Sequence, residues 1–140
     1  MSIATIASRV SDIMTPHVET LAPSEDLDLA DMIMRLDRLR HLPVVDDEGR
    51  LVGMLSQRDV LRHQVHDPDG AVERTANLHV CVADVMTPEV FTTTPDASVL
   101  SALRTIRAER VGALPVVDNG DVVGIITETD LLALLERLLA

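Results

Sequence analysis

Apolar and polar positions along the chain follow two rhythms. Leu27, Ala30, Ile33, Met34 and Leu36 recur at helical spacing and predict an amphipathic helix ending near Arg38, opened by the turn and capping residues Pro23-Ser24-Glu25-Asp26. A short strand is predicted ahead of it over 18–20. Pro43 bars continuation of the helix, and Val44-Val45 starts a buried strand. Asp46-Asp47-Glu48-Gly49 then turns the chain into a hairpin partner over 51–55. A last helix from Ser56 or Gln57 carries Val60 and Leu61. The same order returns with a helix over 96–109, strands over 114–117 and 122–126, and a helix over 128–139. Asn119-Gly120 is a stronger tight-turn signal than its counterpart.

The residues repeat as well as the rhythm. Asp12-Ile13-Met14-Thr15-Pro16 returns as Asp84-Val85-Met86-Thr87-Pro88, and Leu42-Pro43-Val44-Val45-Asp46 as Leu114-Pro115-Val116-Val117-Asp118, both at an offset of 72 (84 − 12). Val52-Gly53-Met54-Leu55-Ser56 returns as Val123-Gly124-Ile125-Ile126-Thr127 at 71 (123 − 52), one residue having been lost from the second turn. The expected fold class is α/β, with two β-α-β-β-α repeats over 1–66 and 82–140 joined by a connector over 67–81. A repeat this short buries little core alone, so two units packed on each other with equivalent clefts are expected. The connector contains the turn Asp67-Pro68-Asp69-Gly70, and a short helix is expected over 72–76.

Composition narrows the partners. A chain of 140 residues that is 46% hydrophobic can bury a core of single-domain size. It has no apolar run near the ~20 residues that span a bilayer and no apolar stretch of signal-peptide type at its start, so a cytoplasmic protein without membrane partners is expected. The single Cys81 excludes an internal disulfide framework. A net charge of −11 opposes non-specific attraction to nucleic acid, and with no Trp, no Tyr and one Phe there is almost no stacking platform for single strands. An anionic ligand must therefore be held locally.

At the end of each hairpin stands a hydroxyl followed three residues later by a carboxylate: Ser56-Gln57-Arg58-Asp59 and Thr127-Glu128-Thr129-Asp130. One reading is a helix cap. Another is a sugar clamp, because a carboxylate at a helix start can accept from two vicinal ribose hydroxyls while the free N–H groups face phosphate. With the preceding Leu-Pro-Val-Val-Asp strands, the Gly-apolar-apolar runs and the Asp-apolar-Met-Thr-Pro openings, the chain resembles a tandem pair of CBS domains, a Bateman module, over about 10–135. The resemblance implies two repeats packed sheet to sheet with pseudo-two-fold symmetry, clefts between them for AMP, ADP, ATP or related adenosine ligands, and homodimers. It implies that Asp59 and Asp130 hold ribose, assisted by Ser56 and Thr127, and that Thr20 and Thr92 line the clefts. The backbone at Leu42-Pro43 and Leu114-Pro115 would border the base with Val18 and Val90. Arg40, His41 and Arg58 match phosphate-contacting positions, where the second repeat has Gly112, Ala113 and Thr129. This asymmetry predicts that one cleft takes a polyphosphate better than the other; the alternative is that Arg40 and Arg58 neutralise neighbouring acids.

His63, His66, His79 and Cys81 form a second constellation, four borderline-soft ligands for zinc at a spacing that matches no strong zinc signature. Cys81 otherwise reads as a small buried apolar residue, and Met14, Met32, Met34, Met54 and Met86 as core filler. The leucines of 131–139 exceed what one repeat needs and suit a partner subunit. No Gly-rich phosphate loop, nucleophile elbow or base–nucleophile pairing supports an enzyme. The sequence therefore predicts a regulatory module with an adenine nucleotide as its ligand and no obligatory cofactor, relaying to an unidentified protein partner. A zinc-binding stress or redox protein and a ligand-free dimerisation scaffold are the alternatives.

Overall fold

A computed structural model of the chain describes residues 9–65 and 80–140. In order, the elements are α1 (Val10–Ile13), β1 (Thr15–Pro16), α2 (Leu27–Asp37), β2 (His41–Val45), β3 (Leu51–Ser56), α3 (Gln57–Val65), α4 (Val82–Val85), α5 (Val99–Glu109), β4 (Ala113–Asp118), β5 (Asp121–Thr127) and α6 (Glu128–Leu139). The mixed α/β class and both hairpins follow the pattern in the sequence. The helix expected over 72–76 lies outside the described residues.

Packing gathers the chain into two compact units, Glu19–Val90 and Met1–Val18 with Phe91–Ala140. In the first, β2 and β3 pair antiparallel, with Leu42 opposite Leu55 and a bulge between Val44 and Val45. Leu21, Leu27, Leu42, Val44, Leu55, Val60 and Val82 form its core. In the second, β1, β5 and β4 make one antiparallel sheet, with Leu114 opposite Ile126 and the matching bulge between Val116 and Val117. Its core is Val10, Ala102, Ile106, Leu114, Val116 and Ile126. The short opening segment of each repeat is thus built into the unit that holds the other repeat's hairpin: Val10 enters the core around β4–β5, and Val82 the core around β2–β3.

The Asp-apolar-Met-Thr-Pro motif can be explained atom by atom. Its acid caps a short helix, since Asp12 Oδ2 accepts from the Arg9 N–H at 3.0 Å and Asp84 Oδ2 from the Cys81 N–H at 3.2 Å. Its threonine continues a hairpin: Thr15 stands opposite Ile125, and Thr87 exchanges both backbone bonds with Met54 at 2.9 Å. Its methionine lies on a glycine. A Cβ placed on Gly124 would stand 2.6 Å from Met14 Sδ and 3.0 Å from the Thr15 carbonyl oxygen, and one on Gly53 would collide with Met86 Sδ. Gly53 and Gly124 stand in their strands because another stretch of backbone approaches there.

Several expectations are corrected. Residues 18–20 form no strand. The parallel pairing falls one residue later, on Leu21 against Val44 and on Thr93 against Val116. Each makes two backbone bonds, and Pro23 and Pro95, lacking an N–H, stop the ladder two residues on. Leu36 is 74% exposed because nine residues, two and a half turns, separate it from Leu27 and put it on the opposite face of α2. Met32 is 50% exposed, so it is not core filler. Asp26 occupies the N-cap of α2 without a side-chain bond, and the Val80 carbonyl accepts the Leu27 N–H at 2.9 Å instead. Cys81 is half-buried and free, its backbone bridged to Asp26. Asn119 and Gly120 both adopt positive φ, 51° and 88°, as a two-residue hairpin turn demands. The longer turn after β2 places Gly49 at φ 80° and ties itself with Asp46 Oδ1, which accepts from the Glu48 and Arg50 N–H groups.

Candidate functional site

Both tetrads stand where a hairpin strand runs directly into a helix. Ser56, opposite His41, ends β3, and α3 starts at the next residue. Thr127, opposite Ala113, ends β5 and is the N-cap of α6. Each carboxylate folds back onto its own cap. The Ser56 N–H donates to Asp59 Oδ2 at 2.9 Å while the Asp59 N–H donates to Ser56 Oγ at 3.1 Å. The Thr127 N–H donates to Asp130 Oδ2 at 2.9 Å, the Asp130 N–H to Thr127 Oγ1 at 3.3 Å, and the Thr127 hydroxyl to the same Oδ2 at 3.2 Å. These are reciprocal capping boxes, and they hold two half-buried carboxylates at the positive ends of helices.

The start of each helix is also tied to the strand opposite. The Gln57 N–H donates to the Arg40 carbonyl at 2.7 Å, and the Glu128 N–H to that of Gly112 at 3.1 Å. Arg40, His41, Ser56, Arg58 and Asp59 are therefore gathered at one end of the β2–β3 hairpin. Gly112, Ala113, Thr127, Thr129 and Asp130 are gathered at the matching end of β4–β5. Thr20 and Thr92 are exposed and adjoin these hairpins through the neighbouring Leu21 and Thr93, whose N–H groups donate to the Pro43 and Pro115 carbonyls. Pro43 and Pro115 are buried. Val18 and Val90 are half-buried and are the last residues before the chain passes from one unit to the other. Arg40 and Arg58 are exposed and make no ion pair among the described residues, whose salt bridges are Arg9–Asp96, Arg35–Asp31 and Arg50–Glu48.

Thr15 is the residue the sequence did not reveal. Its hydroxyl donates to Asp130 Oδ1 at 3.3 Å, across 115 residues of chain. The motif containing Thr15 is visible in the sequence, but its register against β5 is not. Beside Asp130 a cavity of about 470 Å³ opens between α1 and α6, lined by Asp12, Ile13, Asp130, Ala133, Glu136 and Arg137. Of the four suggested zinc ligands, His66 and His79 lie outside the described residues. Half-buried His63 and Cys81 belong to no cluster of three or more metal-ligating side chains among those described. No helix among the described residues is long and apolar enough to cross a membrane.

The repeated hairpin-to-helix sites define a pair of similar α/β modules, and comparison with known proteins gives their family. The model of the CBS domain matches twice, over 10–66 and 82–137, and the chain belongs to that family as a tandem pair. The CBS domain-containing protein YhcV of Bacillus subtilis is 32% identical over 125 residues, 89% of this chain and 83% of that protein. The homoserine O-acetyltransferase of Methanococcoides burtonii is 31% identical over 123 residues, 87% of this chain but 23% of the enzyme. Among solved structures, the CBS domain pair of protein MJ0100 in complex with 5-methylthioadenosine and S-adenosyl-L-methionine has a TM-score of 0.82 at 25% identity, covering 94% of this chain and 98% of that one. CBSX2 in complex with AMP gives 0.78 at 27%, with the same coverage. Hypoxic Response Protein I, with two coordinated zinc ions, gives 0.73 at 26%, covering 89% and 97%.

Proposed function

We propose that the protein is a regulatory module of the cytoplasm that binds an adenosine-containing ligand and relays its presence to a protein partner by a change of conformation or assembly. The observation that carries this reading is the repeated hairpin-to-helix site, with a half-buried carboxylate fixed at a helix N-terminus. In the first repeat it has Arg40 and Arg58 beside it, exposed and without an acidic partner among the described residues. Each carboxylate suits the vicinal hydroxyls of a ribose, and the arginine forks suit phosphate. AMP and S-adenosyl-L-methionine complexes of similar CBS pairs support the same ligand class. The backbone at Pro43 and Pro115 would border the base with Val18 and Val90, Thr20 and Thr92 would line the sites, and His41 would join the phosphate-binding group, where the second repeat has Ala113.

No step of catalysis is assigned, since the two carboxylates stand at matching positions of two repeats and not in one acid–base pair. The relative that is an acetyltransferase shares a stretch that is only 23% of its length. The relay works by linkage: a ligand that binds one arrangement of the module more tightly shifts the population toward it. A homodimer is part of the proposal. On α6, Leu132, Leu135 and Leu139 are 64%, 48% and 78% exposed and fall on one helical face. Sedimentation of Leu135→Glu against the wild type tests it, and an unchanged mass would remove that face from the interface.

The ligand test is thermal unfolding of the metal-stripped protein with AMP, ADP, ATP, NAD or S-adenosylmethionine near millimolar. A ligand at 100 times its dissociation constant adds about 2.7 kcal/mol of stability. Stabilisation of the wild type and its loss in Asp59→Ala or Asp130→Ala is expected. Stabilisation by zinc alone would overturn the nucleotide reading and turn attention to His63 and Cys81.

A further inference from the structure

We infer that the two ribose-type carboxylates are not equivalent: Asp59 is open to a vicinal diol, whereas Asp130 is closed by the Thr15 hydroxyl, so that a chain takes one nucleotide readily and a second only when Thr15 withdraws. The inference rests on the nucleotide reading above and goes beyond it in assigning occupancy. Its basis is a count of acceptor capacity. An ionised carboxylate offers about four lone-pair sites. Asp59 uses one, for the Ser56 N–H on Oδ2, and its Oδ1 has no partner among the described residues. Asp130 uses three, for the Thr127 N–H and the Thr127 hydroxyl on Oδ2 and for the Thr15 hydroxyl on Oδ1.

A vicinal diol brings two donors. Asp59 can accept both without giving up a bond. Asp130 has room for one, so a diol must displace either the cap or Thr15. The cap is local, three residues away along the chain and set by the start of α6. Thr15 is exposed and comes from a different element, so it is the partner that yields. Thr87, the counterpart of Thr15 from the second repeat, lies against the first repeat's hairpin and makes backbone bonds to Met54 but no side-chain bond among the described residues, so none of those residues closes Asp59 in the same way. The opening segment of the chain, 9–16, therefore acts as a specificity and occupancy element for a site encoded more than a hundred residues later.

The test is isothermal titration of the full chain with AMP, repeated with ATP and S-adenosylmethionine, on wild type, Asp59→Asn, Thr15→Val and Thr15→Ser. One strong equivalent is expected for the wild type. It should weaken at least about tenfold in Asp59→Asn and for 2′-deoxy-AMP, which lacks half of the diol. Thr15→Val should tighten the second equivalent about twofold to tenfold, the worth of one net hydrogen bond no longer in competition. Thr15→Ser, which keeps the hydroxyl, should behave as the wild type. Two equal equivalents in the wild type, a strong site untouched by Asp59→Asn, or a second site unmoved or weakened in Thr15→Val would overturn the inference and leave the nucleotide reading standing. Failure of all three ligands to bind any of the four proteins would overturn both.

Discussion

Replacing Gly124 by alanine tests how the opening segment is seated on β5. The added Cβ would stand 2.6 Å from Met14 Sδ, 3.2 Å from its Cγ and 3.0 Å from the Thr15 carbonyl oxygen. The methionine is flexible and can swing away. The carbonyl cannot do so cheaply, because it belongs to backbone paired through Thr15 with Ile125. Overpacking of this kind costs about 1–3 kcal/mol. For a chain of this length, about 3–5 °C of melting temperature per kcal/mol follows from the entropy of unfolding, so a fall of about 3–15 °C is expected in calorimetry or denaturant melts. Part of the cost belongs to the methionine alone. In a double-mutant cycle, Gly124→Ala in a Met14→Ala background should cost measurably less than in the wild type, with a coupling of about 0.5 kcal/mol or more. A Gly124→Ala protein as stable as the wild type, or strict additivity with Met14→Ala, would refute the account of why glycine stands in both hairpins.

Leu42 and Leu114 are both 0% exposed at matching positions in the two cores; truncation of either to alanine should cost about 2–5 kcal/mol, read from chemical denaturation, and a loss below 1 kcal/mol would refute core placement. Gly120→Val forces a β-branched residue to φ 88° in the turn after β4 and should lower stability by about 1–2 kcal/mol, whereas Gly112→Ala, outside any positive-φ position, should not share that penalty. Glu19, though exposed, has its carboxyl raised above the ordinary 4.5, first by its hydrogen bond to Asp37 and further by repulsion from the Asp37 charge. An acid with a raised folded value binds its proton more tightly in the folded state, so its contribution favours folding at low pH and is lost as pH climbs through that value. A carboxyl NMR titration of Glu19 should therefore return toward 4.5 in Asp37→Asn, and an unmoved titration would refute the pairing.

Elements whose causes are local were legible in the sequence. The helix over Glu128–Leu139 begins and ends where its cap and leucines put it, and Asn119-Gly120 makes the turn its residue types require. Both capping boxes could be read from a hydroxyl and an acid three residues apart. Elements with distant causes were not legible. The single-residue pairings of Leu21 and Thr93 depend on where Val44 and Val116 lie and on the prolines that follow. Leu36 is apolar yet exposed, a case in which periodicity over a whole helix outweighs residue type. The contacts of Met14 and Met86 with Gly124 and Gly53, and of Thr15 with Asp130, join residues more than thirty positions apart, and no local pattern encodes such a partner. For the site, the sequence supplied the carboxylates and the arginines. It could not supply how much hydrogen-bonding capacity each carboxylate has left.

The exchange of opening segments changes what a genetic dissection of this protein should cut. The copies recur every 72 residues (84 − 12), and the compact body Glu19–Val90 is one such period long (90 − 19 + 1), but its phase is shifted relative to the motifs. A fragment ending in the connector would carry the hairpin of the first repeat without Val82, which completes its core, while a fragment cut at 19 and 90 would carry every member of that core on one continuous stretch. The remaining body is discontinuous, with one period of chain inserted between its two parts. Shuffling, deleting or grafting a copy should therefore follow the 19–90 frame. In the motif frame, each excised piece would take with it a segment that belongs to the core of the piece left behind.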